Sequence, residues 1–232
     1  MIPVTAAAVE GRNRGHRLGT VTDTAAQEPA SRAERKERTR QALLDGALEL
    51  LADRSFASLS LREVTRSVGI VPTAFYRHFP SLEDLGVALV EDSMRMLREM
   101  LRDARRDPHS KSTAASLEIL DRQVQAHTAQ FRFISRERHG GVAEIRRAIS
   151  GELALFASEL TIDLSRLPGL AEWEADDLAM AANLLVTAML ETVAALLDVH
   201  QTGRGRDVVL DRAERQLRLI VLGMAQWRPA DG

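Results

Sequence analysis

The segment from residue 60 to residue 79 constrains the fold more than any other part of this chain. It contains Ser60 and Glu63 at the spacing of a capping box, which opens a helix. Gly69 can supply the left-handed backbone of a tight turn, and Pro72 suits the first turn of a new helix. The segment therefore predicts two short helices joined by a tight turn, which is a helix-turn-helix.

Apolar and polar residues of this segment fall on opposite faces. The apolar ones are predicted to form a small core that holds the second helix rigidly: Leu61, Val64, Val68, Ile70, Phe75 and Phe79. A helix held rigidly can enter the major groove of DNA, and its polar face can contact phosphates and base edges. The predicted DNA-binding residues are Arg40, Ser60, Arg62, Val71, Pro72, Thr73, Phe75, Tyr76, Arg77 and His78. The alternative is a generic helical hairpin with ordinary surface residues.

Helical periodicity continues through the rest of the chain, with no convincing strand. Capping boxes at Ser31–Glu34 and Ser81–Asp84 open two more helices. The predicted helices outside the helix-turn-helix are 32–53, 81–106, 112–138, 142–165, 172–199 and 207–227. We expect an all-α fold with a flexible tail at 1–31, a three-helix DNA-binding head at 32–80, and a larger ligand-binding and dimerisation body at 81–228.

Charge and motif content narrow the function classes. Residues 1–79 hold 12 basic and 9 acidic side chains, a net charge of +3, whereas the remainder holds 19 and 24, a net charge of −5. The positive charge thus lies where a DNA-binding head would need it. The chain has no cysteine, no zinc-binding His-Glu-x-x-His pair, no Gly-x-Ser-x-Gly elbow and no phosphate-binding loop. These absences argue against an enzyme and predict no cofactor and no metal; a helical enzyme is only a remote alternative.

The amino-terminal residues lack the apolar stretch of a secretory signal. The apolar run from Leu178 to Leu197 is about as long as a membrane span, but it contains Asn183, Glu191 and Thr192. We interpret it as a buried interface helix, and we expect a cytoplasmic protein without a membrane partner.

The sequence Tyr76-Arg77-His78-Phe79 resembles the end of the recognition helix in TetR-family regulators. The resemblance covers about residues 32–90 and implies a homodimer that binds a palindromic double-stranded DNA operator and a small-molecule effector. Three positions depart from the common family pattern. Val71 replaces a serine, Thr73-Ala74 replaces Gly-Thr, and Leu82 replaces a lysine that often contacts phosphate.

These departures, together with the wording of residues 55–64, resemble the FabR and DesT type of repressor of unsaturated fatty acid synthesis. That resemblance implies a repressor of lipid or fatty acid metabolism genes whose effector is an acyl-CoA or a fatty-acyl compound. The alternative within the family is a drug- or metabolite-responsive repressor of an efflux or catabolic operon, with the same head and a different cavity.

The body offers apolar residues for such an effector and for a dimer contact. The predicted ligand-binding residues are Met96, Met100, Phe131, Phe133, Ile134, Arg136, Arg138, Leu153, Phe156, Leu160, Leu185 and Met189. Arg136, Arg138 and His139 are candidates for a charged head group, and an ion pair with Glu137 or Glu144 is the alternative for them. The predicted interface residues are Leu184, Met189, Leu217, Ile220, Val221 and Met224.

Overall fold

The computed structural model describes residues 31–106, 113–202 and 204–227. Over these ranges the chain is helical, and no strand occurs in them. The predicted all-α fold is therefore confirmed. The elements, in chain order, are α1 (Arg32–Leu50), a 3₁₀ turn η1 (Phe56–Ser58), α2 (Leu61–Val68), α3 (Pro72–Phe75), α4 (Leu82–Arg106), α5 (Thr113–Ala126), α6 (Thr128–Glu137), α7 (Ala143–Ser165), α8 (Ala175–Thr202) and α9 (Arg206–Gln226).

Local hydrogen bonds fix where the helices of the head begin and end. Ser31 and Ser60 each cap a helix reciprocally with the glutamate three residues later. Ser81 Oγ accepts a hydrogen bond from the Asp84 backbone N–H at 3.0 Å and so caps α4. Gly69 ends α2 with φ of 74°, a conformation that side chains other than glycine rarely adopt. The capping boxes at Ser31 and Ser60 and the glycine turn are present as predicted. At Ser81 the predicted cap is present, but the Asp84 carboxylate accepts from the serine hydroxyl rather than from the serine backbone N–H.

Three buried clusters hold the helices together. The first contains head residues such as Leu43 and Phe75 together with body residues such as Phe133 and Ile145. The second joins α5, α6, α8 and α9, and the third joins the end of α7 to α8. Since the first cluster crosses the predicted division at residue 80, the head and the body share one continuous core. A movement in the body can therefore reach the head through direct packing.

Some helix bounds differ from the sequence expectation. α1 ends at Leu50 rather than at residue 53, and α3 ends at Phe75, followed by a turn, rather than at Phe79. The single helix expected over 112–138 is two helices, because His127, at φ −126° and ψ 37°, leaves the helical conformation. The predicted flexible tail is not described up to residue 30, and Ser31, its last residue, caps α1.

Helix α8 is the described helix that is long and apolar enough to cross a membrane by length and composition alone. Of its most apolar stretch, 39% is buried against the rest of the molecule. It packs against α5, α6, α7 and α9. Its apolar character is thus accounted for, at least in part, by its position in the core of the body.

Candidate DNA-binding surface and ligand cavity

The short helix α3 is held in place by its aromatic residues. Phe75 is fully buried. Its ring centroid lies 5.7 Å from that of Tyr76, edge to face, and 5.7 Å from that of Phe79. Val64 of α2 is fully buried in the same cluster. A four-residue helix has little stability of its own, so this packing is what fixes its orientation.

The face of α3 that points away from this core is exposed. The side chain of Val71 is 63% exposed and that of Tyr76 59%. Thr73 and Arg77 are exposed beside them, as is Pro72. Arg62 on α2 and Ser60 at its amino end are exposed as well. Most of the predicted DNA-binding residues are therefore exposed to solvent in and around α2 and α3, with hydroxyl, phenol and guanidinium groups available to phosphates and base edges.

Phe75 is a correction to the predicted DNA-binding set, because a fully buried ring cannot contact a base or a phosphate. Its part is to support its neighbours on α3. The hydroxyl of Ser60 is also engaged in hydrogen bonds within the head. It donates to the Glu63 carboxylate at 2.6 Å and accepts from the Glu63 backbone N–H at 3.4 Å.

Arg40 and His78 lie at the edge of this surface. The Arg40 guanidinium stacks over the Phe79 ring at 4.5 Å, a cation–π contact, and its Nη1 is buried without a hydrogen-bond partner among the described residues. Burial, followed by the nearby charges of Lys36, Arg40 and Arg77, lowers the pKa of His78 below 6.5. This lowering of the pKa favours the uncharged imidazole of His78, and the positive charge of this edge comes from its neighbours.

A cavity of about 240 Å³ lies in the body between α4, α5, α6, α7 and α8. Its walls are almost wholly apolar. The lining residues are Met94, Leu97, Arg98, Ser116, Ile119, Leu120, Gln123, Phe131, Ile134, Ser135, Leu153, Phe156, Val186, Met189, Leu190 and Val193. A concave, apolar site with few polar groups is typical of pockets that bind small molecules.

Five of the twelve predicted ligand-binding residues line this cavity: Phe131, Ile134, Leu153, Phe156 and Met189. Phe133 does not, because its side chain points into the shared core with the head. Leu160 and Leu185 pack in the third cluster, and Met96 lies on α4 outside the cavity wall. Met100 lies outside the residues whose side chains the structure describes. The helical period places apolar residues on a buried face, but it does not say which of them border empty space.

The arginines proposed for a head group have structural partners instead. Arg136 Nη1 donates to the carbonyls of Leu51 at 2.9 Å and Arg54 at 2.6 Å, and so holds the end of α1. Arg138 pairs with Glu191 of α8 at 3.0 Å. Neither arginine borders the cavity, and the described contacts of both go to groups other than Glu137 and Glu144. Their head-group role stays a prediction.

Glu137 has a different task from the ion pair considered for it. Its side chain is buried, and Oε1 accepts a hydrogen bond from the Phe56 backbone N–H at 2.8 Å. A Cβ at Gly140 would collide with its other carboxylate oxygen, so glycine is needed there for a steric reason. The His139-Gly140-Gly141 break thus wraps around a buried carboxylate that ties α6 to η1.

Sequence reasoning missed a charged residue in the cavity wall. Arg98 of α4 borders the cavity and forms an ion pair with Glu152 of α7. The apolar pattern of α4 predicted Met96 and Met100 as ligand-binding residues instead. The signal available in the sequence was an arginine one residue after apolar Leu97 in a helix expected to be half-buried, which alone does not distinguish a cavity wall from a solvated face.

The predicted dimer residues differ in their exposure. Leu184 and Val221 are exposed, whereas Leu217, Ile220 and Met224 are half-buried and Met189 borders the cavity. Two further large apolar residues, Leu219 and Leu222 of α9, are strongly exposed. The outer faces of α8 and α9 thus present more apolar surface than the sequence prediction included.

No group of three or more histidine and acidic side chains able to hold a metal ion occurs in residues 31–106, 113–202 and 204–227. The charged cluster that joins α5 to α9 consists instead of ion pairs. Buried Asp121 accepts from Arg206 Nε at 2.7 Å, and Glu118 accepts from Arg206 Nη2 at 2.5 Å. This cluster fastens α9 to the body.

Comparison with known proteins identifies the head. Residues 43–89 match the family model described as "Bacterial regulatory proteins, tetR family". This range contains α2, α3 and the start of α4, including every exposed residue of the α3 face named above.

Solved structures of low sequence identity share the fold over most of this chain. A TetR-like transcriptional regulator from Rhodococcus sp. RHA1 is 20% identical, with a TM-score of 0.59 over 86% of this chain and 100% of its own. The transcriptional regulator FadR from Bacillus subtilis, solved in complex with stearoyl-CoA, is 17% identical, with a TM-score of 0.61 over 79% and 98%. The fatty acid degradation regulator FadR from Bacillus halodurans is 14% identical, with a TM-score of 0.59 over 82% and 96%.

Proposed function

We propose that this chain acts as a transcriptional regulator of TetR type rather than as an enzyme, and that it represses genes of lipid or fatty acid metabolism in response to an acyl-CoA or fatty-acyl effector. The observation that carries this proposal is the apolar cavity between α4 and α8. Long acyl chains are the effectors that such walls favour, since burying each methylene contributes about 0.8 kcal/mol. The resemblance of the head to the FabR and DesT type points the same way, as does the stearoyl-CoA complex of the Bacillus subtilis FadR.

The proposed operator contact is made by α3 in the major groove, with α2 crossing above it. Tyr76 and Arg77 are exposed directly after α3, Arg62 is exposed on α2, and Arg40 of α1 stacks over the Phe79 ring. Two copies are needed, because one head reads only a few base pairs whereas two heads on a palindrome multiply specificity. The exposed apolar faces of α8 and α9 are the proposed contact between the copies. A protein of this kind acts in the cytoplasm, on chromosomal DNA.

The proposed coupling between effector and DNA runs through α4. Its first half packs into the core of the head through Leu85 and Leu89, and its second half borders the cavity through Met94 and Leu97. A ligand that favours one position of α4 must therefore favour one position of the head. By linkage, DNA changes effector affinity by the same factor by which the effector changes DNA affinity.

The testing experiment titrates the purified protein with saturated and unsaturated acyl-CoAs, and records direct binding and the change in affinity for its own promoter DNA. Binding that changes DNA affinity supports a lipid-responsive regulator. Indifference to acyl-CoA with intact DNA binding contradicts it and favours the drug- or metabolite-responsive regulator, whose ligand would use the same apolar walls.

A matched pair of variants ties the effect to the cavity. Ile119→Trp fills it, because Ile119 borders the space, and should abolish acyl-CoA binding while leaving DNA binding in place. Ile162→Trp is the control, because Ile162 is exposed on α7 and lies outside the cavity wall. Equal acyl-CoA affinity in both variants would place the ligand elsewhere.

A further inference from the structure

The cavity wall contains a cation in an otherwise apolar lining. Arg98 is the charged residue that borders the space within the described part of the chain, and its partner Glu152 does not border it. The two side chains are 22% and 19% exposed. An ion pair this shielded from water is held by attraction between unit charges that solvent screens only in part.

The Arg98 guanidinium is not saturated by Glu152. Its Nη2 donates to Glu152 Oε2, while its Nε is buried and has no hydrogen-bond partner among the described residues. Guanidinium presents its donors in a planar fork that matches the two oxygens of a carboxylate. An unmet buried donor costs free energy, so an acceptor that reached Nε as well would be favoured over the present pairing.

We propose that the effector is a carboxylic acid with an apolar chain, and that its carboxylate takes the place of Glu152 on Arg98 while its chain fills the cavity. This proposal rests on the proposed function and narrows its ligand class, from acyl compounds in general to those with a free carboxylate. The Glu152 side chain already shows that the guanidinium can donate to a carboxylate at this position. A methyl ester or a thioester of the same chain offers no such anion.

The exchange also changes a link between two helices. Arg98 belongs to α4 and Glu152 to α7, so their ion pair fastens the two helices beside the cavity. When the ligand holds Arg98, α7 loses that connection to α4. Glu152 is partly exposed already, so a rotation of its side chain returns the carboxylate to water. The ligand thereby acts on the helix that enters the core of the head.

The test compares dodecanoic acid with methyl dodecanoate, which have the same chain and differ in the anion. With the full-length protein, isothermal titration should show the acid binding about tenfold to a hundredfold more tightly than the ester, the range expected for a hydrogen bond between charged groups. Arg98→Gln should bring this ratio to about one, and Arg98→Lys should keep most of it. Glu152→Gln should strengthen binding of the acid, because the competing carboxylate is gone.

The matched control is Arg95→Gln, since Arg95 lies one turn earlier on α4, is 65% exposed, and does not border the cavity. It should leave the ratio unchanged. Thermal denaturation establishes that each variant is folded. If Arg98→Gln does not fold, the acid-to-ester ratio of Arg98→Lys, compared with that of the wild type, still tests the proposal.

An acid-to-ester ratio near one in the wild type, or a ratio that persists in Arg98→Gln, would overturn the proposal. If dodecanoyl-CoA binds and shifts DNA affinity while the acid shows no preference, the carboxylate proposal fails and the proposed function stands. If no probe with an apolar chain binds, both fail.

Discussion

Gly86 offers the sharpest test of how closely the head packs on the body. It lies in α4, where a Cβ would stand 2.6 Å from Ile145 Cδ1 and 2.7 Å from Phe56 Cζ. Both neighbours are buried in the shared core, so neither can move freely. Gly151 in α7 is the matched control, because nothing lies within 4 Å of its Cβ position.

The two glycine-to-alanine variants should change stability in opposite directions. Alanine in the middle of a helix is more favourable than glycine by about 0.8–1.0 kcal/mol, so Gly151→Ala should stabilise the protein by about that amount. Gly86→Ala gains the same helix preference but adds a methyl group to a filled core, which costs about 1–3 kcal/mol. The net change for Gly86→Ala is therefore about 0–2 kcal/mol of destabilisation.

Urea unfolding at one protein concentration measures this difference, since the apparent stability of the proposed dimer depends on concentration. The midpoint for Gly151→Ala should lie above that of the wild type, and the midpoint for Gly86→Ala at or below it, with unchanged slopes. An equal rise in both variants would refute the reasoning, because it would mean that α4 does not pack tightly against η1 and α7 at this point.

Three further outcomes follow from the site. Phe75→Ala should destabilise the protein by about 3–5 kcal/mol in urea unfolding and should also reduce DNA affinity, because the ring is fully buried. Tyr76→Phe should reduce DNA affinity alone. Wild-type stability of Phe75→Ala would contradict the burial of Phe75. Hydrogen bonds from Ser60, and then from Arg54, lower the pKa of Glu63 from 4.5 to about 2. The difference in unfolding free energy between wild type and Glu63→Gln should therefore have its full value above pH 4.5 and disappear as the pH falls towards 2. Unfolding measured across that pH range tests this. Arg136→Met should destabilise the protein by about 1.5–3 kcal/mol without changing acyl-CoA affinity, because its guanidinium donates to the end of α1. Weakened ligand binding in a fully stable variant would support the head-group role instead.

The sequence determined the local structure of the head because the relevant interactions span only a few residues. A serine and an acidic residue three positions apart can cap a helix start at any place in a fold, so Ser31, Ser60 and Ser81 marked helix starts correctly. The turn at Gly69 needs a left-handed backbone, which is a property of one residue. The exposed face of α3 follows from the same local pattern.

Which residues border the cavity, and which partners the charged side chains find, depends on tertiary structure. Phe131 and Phe133 occupy the same helix and look alike in sequence. Phe131 borders the cavity and packs with residues of α5, α8 and α9, whereas Phe133 packs in the core that the body shares with the head. Arg136 donates to a carbonyl at the end of α1, and the two residues are 85 positions apart in sequence, so no local pattern predicts the contact. Helical period assigns a residue to a face, whereas empty space and charge partners depend on which helices cross that face and how closely they pack.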